Sequence, residues 1–119
     1  MDAPKPRALV VDDDASLRLL ARVNLELEGF EVAEASTVGE ADTAVRAARP
    51  DVVLLDVHLG GQETHSLLAR LRADGIPVAL VTGSADAEQL RGSADGVLAK
   101  PFTPQALVGL ARRLARVER

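Results

Sequence analysis

The sequence predicts a doubly wound α/β fold, in which helices cover both faces of a five-stranded parallel sheet. Short apolar runs alternate with amphipathic segments along all 119 residues, as expected when each strand is followed by a helix that crosses back over the sheet. The strongest runs are continuous, with no polar residue at alternate positions, which is typical of strands buried on both faces. The length suits a single domain, residues 1–119.

Five segments are predicted strands. The first, third and fourth are rich in Val, Leu and Ile, whereas the second and fifth are weaker candidates with more polar or small residues. In chain order the predicted strands cover residues 8–11, 31–35, 52–55, 76–81 and 96–99.

Helical patterns occupy the intervals between the strands, and several have start or stop residues. Gly29 ends the first helix, Ser36 or Thr37 caps the second, and Thr103 with Pro104 caps the last. The third runs over residues 63–73, and the fourth is expected to be short or disordered. The inward-facing residues are predicted to be Leu17, Leu20, Ala21, Asn24 and Leu27 in the first helix, Ala41, Ala44, Val45 and Ala48 in the second, Leu67, Leu68 and Leu71 in the third, and Leu107, Leu110, Ala111, Leu114 and Val117 in the last.

Composition excludes several classes of function. There are no cysteines, which rules out disulfides and thiolate metal sites. A formal net charge of −4 gives no basic surface for nucleic acid or an anionic membrane. The apolar runs are too short to cross a bilayer. We therefore expect a cytoplasmic protein that binds neither nucleic acid nor membrane.

Chemically active residues follow the predicted strands. In open α/β sheets the working site lies beyond the carboxyl ends of the strands. Asp12 and Asp13 follow the first strand, Asp56 the third, Thr82 the fourth and Lys100 the fifth. Carboxylates brought together from separate segments repel one another unless a cation neutralises them, and an all-oxygen site suits Mg²⁺. A carboxylate fixed at the end of a rigid strand can also act as a nucleophile toward phosphorus.

Taken singly, these residues have simpler explanations. An aspartate after a strand is commonly a helix cap or a turn former, and Asp14 before the first helix fits that role. A threonine can bond within its own loop, and a lysine can be a solvated surface residue. The combination at four strand ends is what favours a phosphoryl site.

The residues at these strand ends resemble the receiver domain of two-component response regulators, and the similarity covers nearly the whole chain. The resemblance implies Asp56 as phospho-acceptor, Thr82 as switch hydroxyl and Lys100 as the phosphate-contacting lysine. It also implies Asp12, Asp13, Asp56 and the backbone carbonyl of His58 as Mg²⁺ ligands, a strand order of 2-1-3-4-5, and a cis Lys100-Pro101 peptide. The matching segments are Leu9-Val10-Val11-Asp12-Asp13-Asp14, Asp51-Val52-Val53-Leu54-Leu55-Asp56-Val57, Val81-Thr82-Gly83 and Lys100-Pro101-Phe102.

Three departures from the family pattern stand out. Val97 replaces the aromatic switch residue, as in an atypical subgroup of receivers, so the usual coupling of threonine to an aromatic side chain cannot operate. The loop Gly60-Gly61-Gln62-Glu63-Thr64 differs from the usual pattern, which often has proline first and glycine last. The segment from Thr82 to Lys100 is shorter than usual by about one helical turn.

The resemblance implies a phosphorylation switch, and we expect it to be stand-alone, without an output domain. A sensor histidine kinase or a histidine phosphotransfer protein would donate the phosphoryl group, and a downstream protein would be the target. We expect no enzyme activity beyond self-phosphorylation and self-dephosphorylation. Two alternatives stay open: a small phosphatase of the haloacid-dehalogenase type with Asp12 as nucleophile, since Asp12, Asp14 and Ser16 mimic its signature, and a pseudo-receiver that binds partners without phosphorylation.

Overall fold

The computed structural model describes residues 4–59 and 62–117, in which strands and helices alternate. All strand pairs are parallel, and the strand order is β2-β1-β3-β4-β5, which confirms the predicted doubly wound fold. The elements are β1 (Arg7–Val11), α1 (Ala15–Leu27), β2 (Glu31–Ala35), α2 (Val38–Ala47), β3 (Val52–Asp56), α3 (Gln62–Ala73), β4 (Val78–Gly83), α4 (Ser84–Leu90), β5 (Gly96–Lys100) and α5 (Pro104–Leu114).

An aliphatic core lies on each face of the sheet. Helices α1 and α5 cover one face, where Leu25 and Leu107 are buried, and α2 and α3 cover the other, where Ala41 and Leu67 are buried. Phe30, just before β2, belongs to the first core. Every residue of β3 is buried, which explains its unbroken apolar sequence and places its carboxyl end at the centre of the sheet.

The predicted helix caps are confirmed. Thr37, rather than Ser36, accepts a hydrogen bond from the Glu40 N–H, and Thr103 accepts one from the Ala106 N–H ahead of Pro104. Gly29 follows α1 with a φ of +93°, a conformation that glycine adopts without steric cost.

The predicted inward face of α1 is wrong in part. Leu27 is 78% exposed and Leu20 is 39% exposed, whereas Leu25, which the prediction left out, is fully buried. The sheet-facing line of α1 passes through Ala21 and Leu25, one helical turn apart. The exposed large apolar side chains on α1, here called the α1 patch, are Leu19, Leu20, Val23 and Leu27.

The start of β4 differs from the prediction, whereas the length of α4 agrees with it. Strand β4 begins at Val78 rather than Ile76, because the Ile76 N–H bonds to the Leu71 carbonyl and so belongs to the end of α3. Helix α4 is formed and has seven residues, so the short form of the prediction is correct. Gly60 and Gly61 of the unusual loop lie outside the described residues. Within the described residues, no helix is long and apolar enough to cross a membrane.

Candidate functional site

Asp56 occupies the last position of the central strand β3 and is only 4% exposed. The N–H of His58 donates a hydrogen bond to Oδ1 of Asp56 at 3.0 Å. Because β3 is buried along its whole length, the strand holds this carboxylate in a fixed place while one of its oxygens is bonded to the following turn. The sequence placed Asp56 at the end of a buried strand, and the structure agrees.

Asp12 and Asp13 follow β1, the neighbour of β3 in the sheet. Asp12 is 3% exposed and its Oδ1 accepts a hydrogen bond from the Asp14 N–H at 2.9 Å, whereas Asp13 is exposed. One carboxylate oxygen from each of Asp12, Asp13 and Asp56 lies within 4.8 Å of the other two. The two strand ends therefore bring together the three acids that the sequence singled out, here called the acidic cluster.

Electrostatics within the acidic cluster favour a cation. Burial raises the pKa of Asp12 above its usual value, the hydrogen bond from Asp14 opposes this, and the charge of Asp56 raises the pKa further. The ammonium of Lys100 lowers the pKa, and Asp13 raises it. A divalent cation would relieve the remaining repulsion, and three carboxylates with no sulfur or imidazole ligand fit a hard ion such as Mg²⁺.

Lys100 and Thr82 lie beside the acidic cluster on the next two strands. The Lys100 Nζ atom is 3.9 Å from Oδ2 of Asp12. Val81 pairs with Asp56 across the β3–β4 ladder, so Thr82 lies one position beyond the acid. Thr82 is fully buried, and its Oγ1 has no hydrogen-bond partner among the described residues. Leaving a buried hydroxyl without an acceptor costs free energy. The Thr82 hydroxyl could therefore donate a hydrogen bond to an oxygen of a group bound at the acidic cluster.

The carboxyl end of β5 matches the resemblance in one respect and departs from it in another. The Lys100-Pro101 peptide is cis, as the resemblance implies. The position where the family has an aromatic switch residue is occupied by Val97, which lies opposite Leu80 in the β4–β5 ladder. Phe102 is half-buried and lines a small cavity together with Asp12 and Leu17.

The two histidines and Asp14 lie at the margin of the site. His58 is exposed, with its Nε2 atom 3.8 Å from Oδ2 of Asp86 in α4, and His65 in α3 is also exposed. The Asp14 carboxylate accepts hydrogen bonds from the N–H groups of Ser16 and Leu17. Asp14 is therefore the cap of α1, the simple role that the sequence suggested for it.

Sequence reasoning missed a support beneath the acidic cluster. Arg18 in α1 donates a hydrogen bond to the backbone carbonyl of Asp12 at 2.7 Å and another to Glu34 of β2 at 3.2 Å. The available signal was the direction of helical side chains, which lean toward the N-terminus and so bring a first-turn arginine back over the preceding loop.

Comparisons with known proteins agree with this geometry. The family model "Response regulator receiver domain" matches residues 8–112. The chain is 43% identical over 124 residues to the DNA-binding response regulator MtrA of Mycobacterium tuberculosis, covering 100% of this chain and 54% of that protein. It is 33% identical over 116 residues to the phosphate regulon transcriptional regulatory protein PhoB of Pseudomonas aeruginosa, covering 91% and 51%. The chain thus spans about half the length of these curated relatives.

Solved structures give the same match at the level of the fold. The crystal structure of the receiver domain of NtrX from Brucella abortus superposes with a TM-score of 0.82 at 28% identity, covering 93% of this chain and 99% of that one. A response regulator from Thermotoga maritima superposes with a TM-score of 0.84 at 28% identity, covering 95% and 99%.

Proposed function

Because this chain belongs to the response regulator receiver domain family, we propose that it is a phosphorylation switch in which Asp56 accepts a phosphoryl group. The observation that carries the proposal is the joint placement of three carboxylates with oxygens within 4.8 Å of one another and the buried Thr82 hydroxyl one strand away. The haloacid-dehalogenase alternative gains no support, because Asp14 of its signature caps a helix.

The proposed reaction follows from the side chains at the site. A carboxylate oxygen of Asp56 attacks the phosphorus of a phosphohistidine, the phosphorus–nitrogen bond breaks, and its electron pair returns to the imidazole nitrogen. Mg²⁺, when bound by Asp12, Asp13, Asp56 and the carbonyl of His58, supplies neutralising charge for the phosphoryl oxygens. Lys100 pairs with one of these oxygens, and the Thr82 hydroxyl donates a hydrogen bond to another. The expected activity is limited to self-phosphorylation and self-dephosphorylation.

The α1 patch supports a docking role toward the phosphodonor. All four of its side chains lie on α1, whose N-terminal end is capped by Asp14 beside the acidic cluster. A sensor histidine kinase or a histidine phosphotransfer protein that presents its phosphohistidine to Asp56 would bury this surface. Leu27→Lys should then slow transfer from a phosphorylated histidine kinase domain and leave transfer from a small phosphodonor unchanged. If the variant and the unaltered protein accept the phosphoryl group from the kinase domain at equal rates, the α1 patch has no part in docking.

The output of the switch is also part of the proposal. Since Val97 cannot act as an aromatic switch, the segment after Thr82 would carry the change, and the His58–Asp86 contact links this segment to the turn after Asp56. A downstream protein in the cytoplasm would recognise the changed surface, and the domain itself would bind neither nucleic acid nor membrane. The relatives named above include a protein described as DNA-binding, and such activity would reside in parts of those proteins that this chain does not match.

Phosphorylation by a small donor tests the central proposal. The protein is incubated with Mg²⁺ and phosphoramidate, and the position of any added phosphoryl group is located by mass spectrometry. We expect one phosphoryl group on Asp56, lost in Asp56→Asn and retained in the control Asp42→Asn, which alters an acid paired with Arg70 away from the site. Label on Asp12 would favour the phosphatase alternative, and absence of label would favour a pseudo-receiver.

A further inference from the structure

We propose that Arg18 is a positioning residue that fixes the geometry of the acidic cluster through the backbone of Asp12. The inference rests on the proposed function for its biological meaning. Its direct consequence is for Mg²⁺ affinity, which can be measured without any phosphorylation.

Arg18 bridges the loop that carries the acids to the edge strand of the sheet. Its Nη1 donates to the Asp12 carbonyl at 2.7 Å, and its Nε donates to Oε1 of Glu34 at 3.2 Å. The Arg18 and Glu34 side chains are only 18% and 29% exposed. A guanidinium presents several donors in one rigid plane, so a single side chain can hold both acceptors at once.

The carbonyl that Arg18 holds belongs to the peptide that joins Asp12 to Asp13. The Asp12 N–H donates to the Ala35 carbonyl at 3.0 Å, and the Asp12 carboxylate accepts from the Asp14 N–H. With Arg18 on its carbonyl, Asp12 is bonded at its amide, its side chain and its carbonyl. Because a peptide unit is planar, fixing this carbonyl also orients the backbone from which the exposed Asp13 carboxylate extends.

Glu34, the partner of Arg18, also pairs with Arg22. Arg22 Nη1 donates to Oε2 of Glu34 at 2.8 Å and its Nε contacts Glu26 one turn further along α1. The hydrogen bond from Arg22 lowers the pKa of Glu34, against the opposing effect of burial and with further help from Arg18. Arg22 thus shares the helix, the charge and the Glu34 contact of Arg18, but the described contacts give it none with Asp12.

Loss of Arg18 has two opposite effects on Mg²⁺ binding. Removing the positive charge of Arg18 makes the surroundings of the acidic cluster more negative, which strengthens Mg²⁺ binding. Releasing the Asp12 carbonyl lets the carboxylates move from their positions, which weakens Mg²⁺ binding. Partners that orient metal ligands typically change metal affinity by about 10- to 100-fold. The exposed setting of Asp13 screens the charge effect. We therefore expect loss of position to dominate.

Paired arginine substitutions test this role. Mg²⁺ affinity is measured by isothermal titration calorimetry on the full chain for Arg18→Met and Arg22→Met, and amide exchange is followed at Asp14, whose N–H donates to Oδ1 of Asp12. We expect about a tenfold weaker affinity and faster exchange at this amide for Arg18→Met, with both quantities nearly unchanged for Arg22→Met. Equal losses in the two variants, or tighter Mg²⁺ binding by Arg18→Met, would overturn the proposal.

A charge-conserving pair guards against misfolding and charge effects. Arg18→Lys retains the cation but cannot hold the Asp12 carbonyl and Glu34 together, so it should still weaken Mg²⁺ binding, and Arg22→Lys should not. If the unaltered protein binds Mg²⁺ but is not phosphorylated, the proposed function fails while the comparison still decides the role of Arg18. If it binds no Mg²⁺, both proposals fail.

Discussion

Replacing Asp13 by asparagine should make the metal-free protein more stable and remove about half of the stabilisation that Mg²⁺ provides. Asp13 is the exposed member of the acidic cluster, and its carboxylate accepts no hydrogen bond within the described residues. The substitution therefore removes a charge and a metal ligand while leaving the packing of the buried Asp12 and Asp56 untouched.

The size of the effect follows from the spacing of the charges. Oxygens of Asp13 lie within 4.8 Å of oxygens of both Asp12 and Asp56. Each repulsion is about 0.9 kcal/mol in bulk water and ~3.5 kcal/mol at an effective dielectric constant of 20. Because Asp13 is exposed, the lower figure is closer, and relief of both contacts should contribute about 1–2 kcal/mol. Mg²⁺ at 100 times its dissociation constant stabilises the unaltered protein by about 2.7 kcal/mol. A tenfold weaker affinity removes about half of this gain.

Thermal unfolding followed by circular dichroism measures both parts of the prediction. In the presence of a chelator, Asp13→Asn should melt higher than the unaltered protein, by about 4 °C for each kcal/mol in a domain of this size. With Mg²⁺ added, its melting temperature should rise much less than that of the unaltered protein. The reasoning is refuted if the variant is no more stable in chelator, or if Mg²⁺ raises both melting temperatures equally.

Three further predictions concern the hydroxyl, the readout and the core. Thr82→Val should stabilise the metal-free protein by about 1 kcal/mol because the buried hydroxyl has no partner, whereas Thr103→Val should cost about 1 kcal/mol by removing a helix cap; thermal melts that show losses for both would contradict the first. Hydrogen exchange of residues 83–95 should slow when beryllofluoride, a phosphoryl mimic, binds with Mg²⁺, and equal protection in both states would exclude this segment as the readout. Leu25→Ala should lower the free energy of unfolding by about 3 kcal/mol and Leu27→Ala by less than ~0.5 kcal/mol, as measured by chemical denaturation. Equal costs would argue against the observed inward face of α1.

Local signals were sufficient to predict most of the fold. Apolar runs predicted the strands, because buried parallel strands need apolar side chains on both faces. Polar capping residues and glycines predicted the ends of the helices. The inward face of α1 could not be predicted, because its many apolar residues form two competing stripes. Leu25 rather than Leu27 is buried because the sheet-facing line of α1 passes through Ala21 and Leu25, and tertiary packing rather than periodicity decides which stripe faces the sheet.

The candidate site was predictable where it depends on strand ends and not where it depends on long side chains. Asp12, Asp56 and Lys100 each follow an apolar run, so the topology of the sheet alone brings them together. Arg18 reaches its position through a flexible side chain that contacts a carbonyl and an edge-strand acid. Its first-turn position indicates only that the side chain leans over the preceding loop, and its two contacts depend on the three-dimensional path of both the loop and β2.

The scarcity of aromatic residues makes the protein convenient to observe by fluorine NMR. The chain contains two phenylalanines and neither tryptophan nor tyrosine. Phe102 lines the cavity that also includes Asp12, whereas Phe30 is buried at the opposite edge of the sheet, where β2 begins. Incorporation of fluorophenylalanine would therefore give two resonances, one beside the acidic cluster and one remote from it. A shift of the first alone on adding Mg²⁺ would report a local event, and a shift of both would report a change that crosses the whole domain.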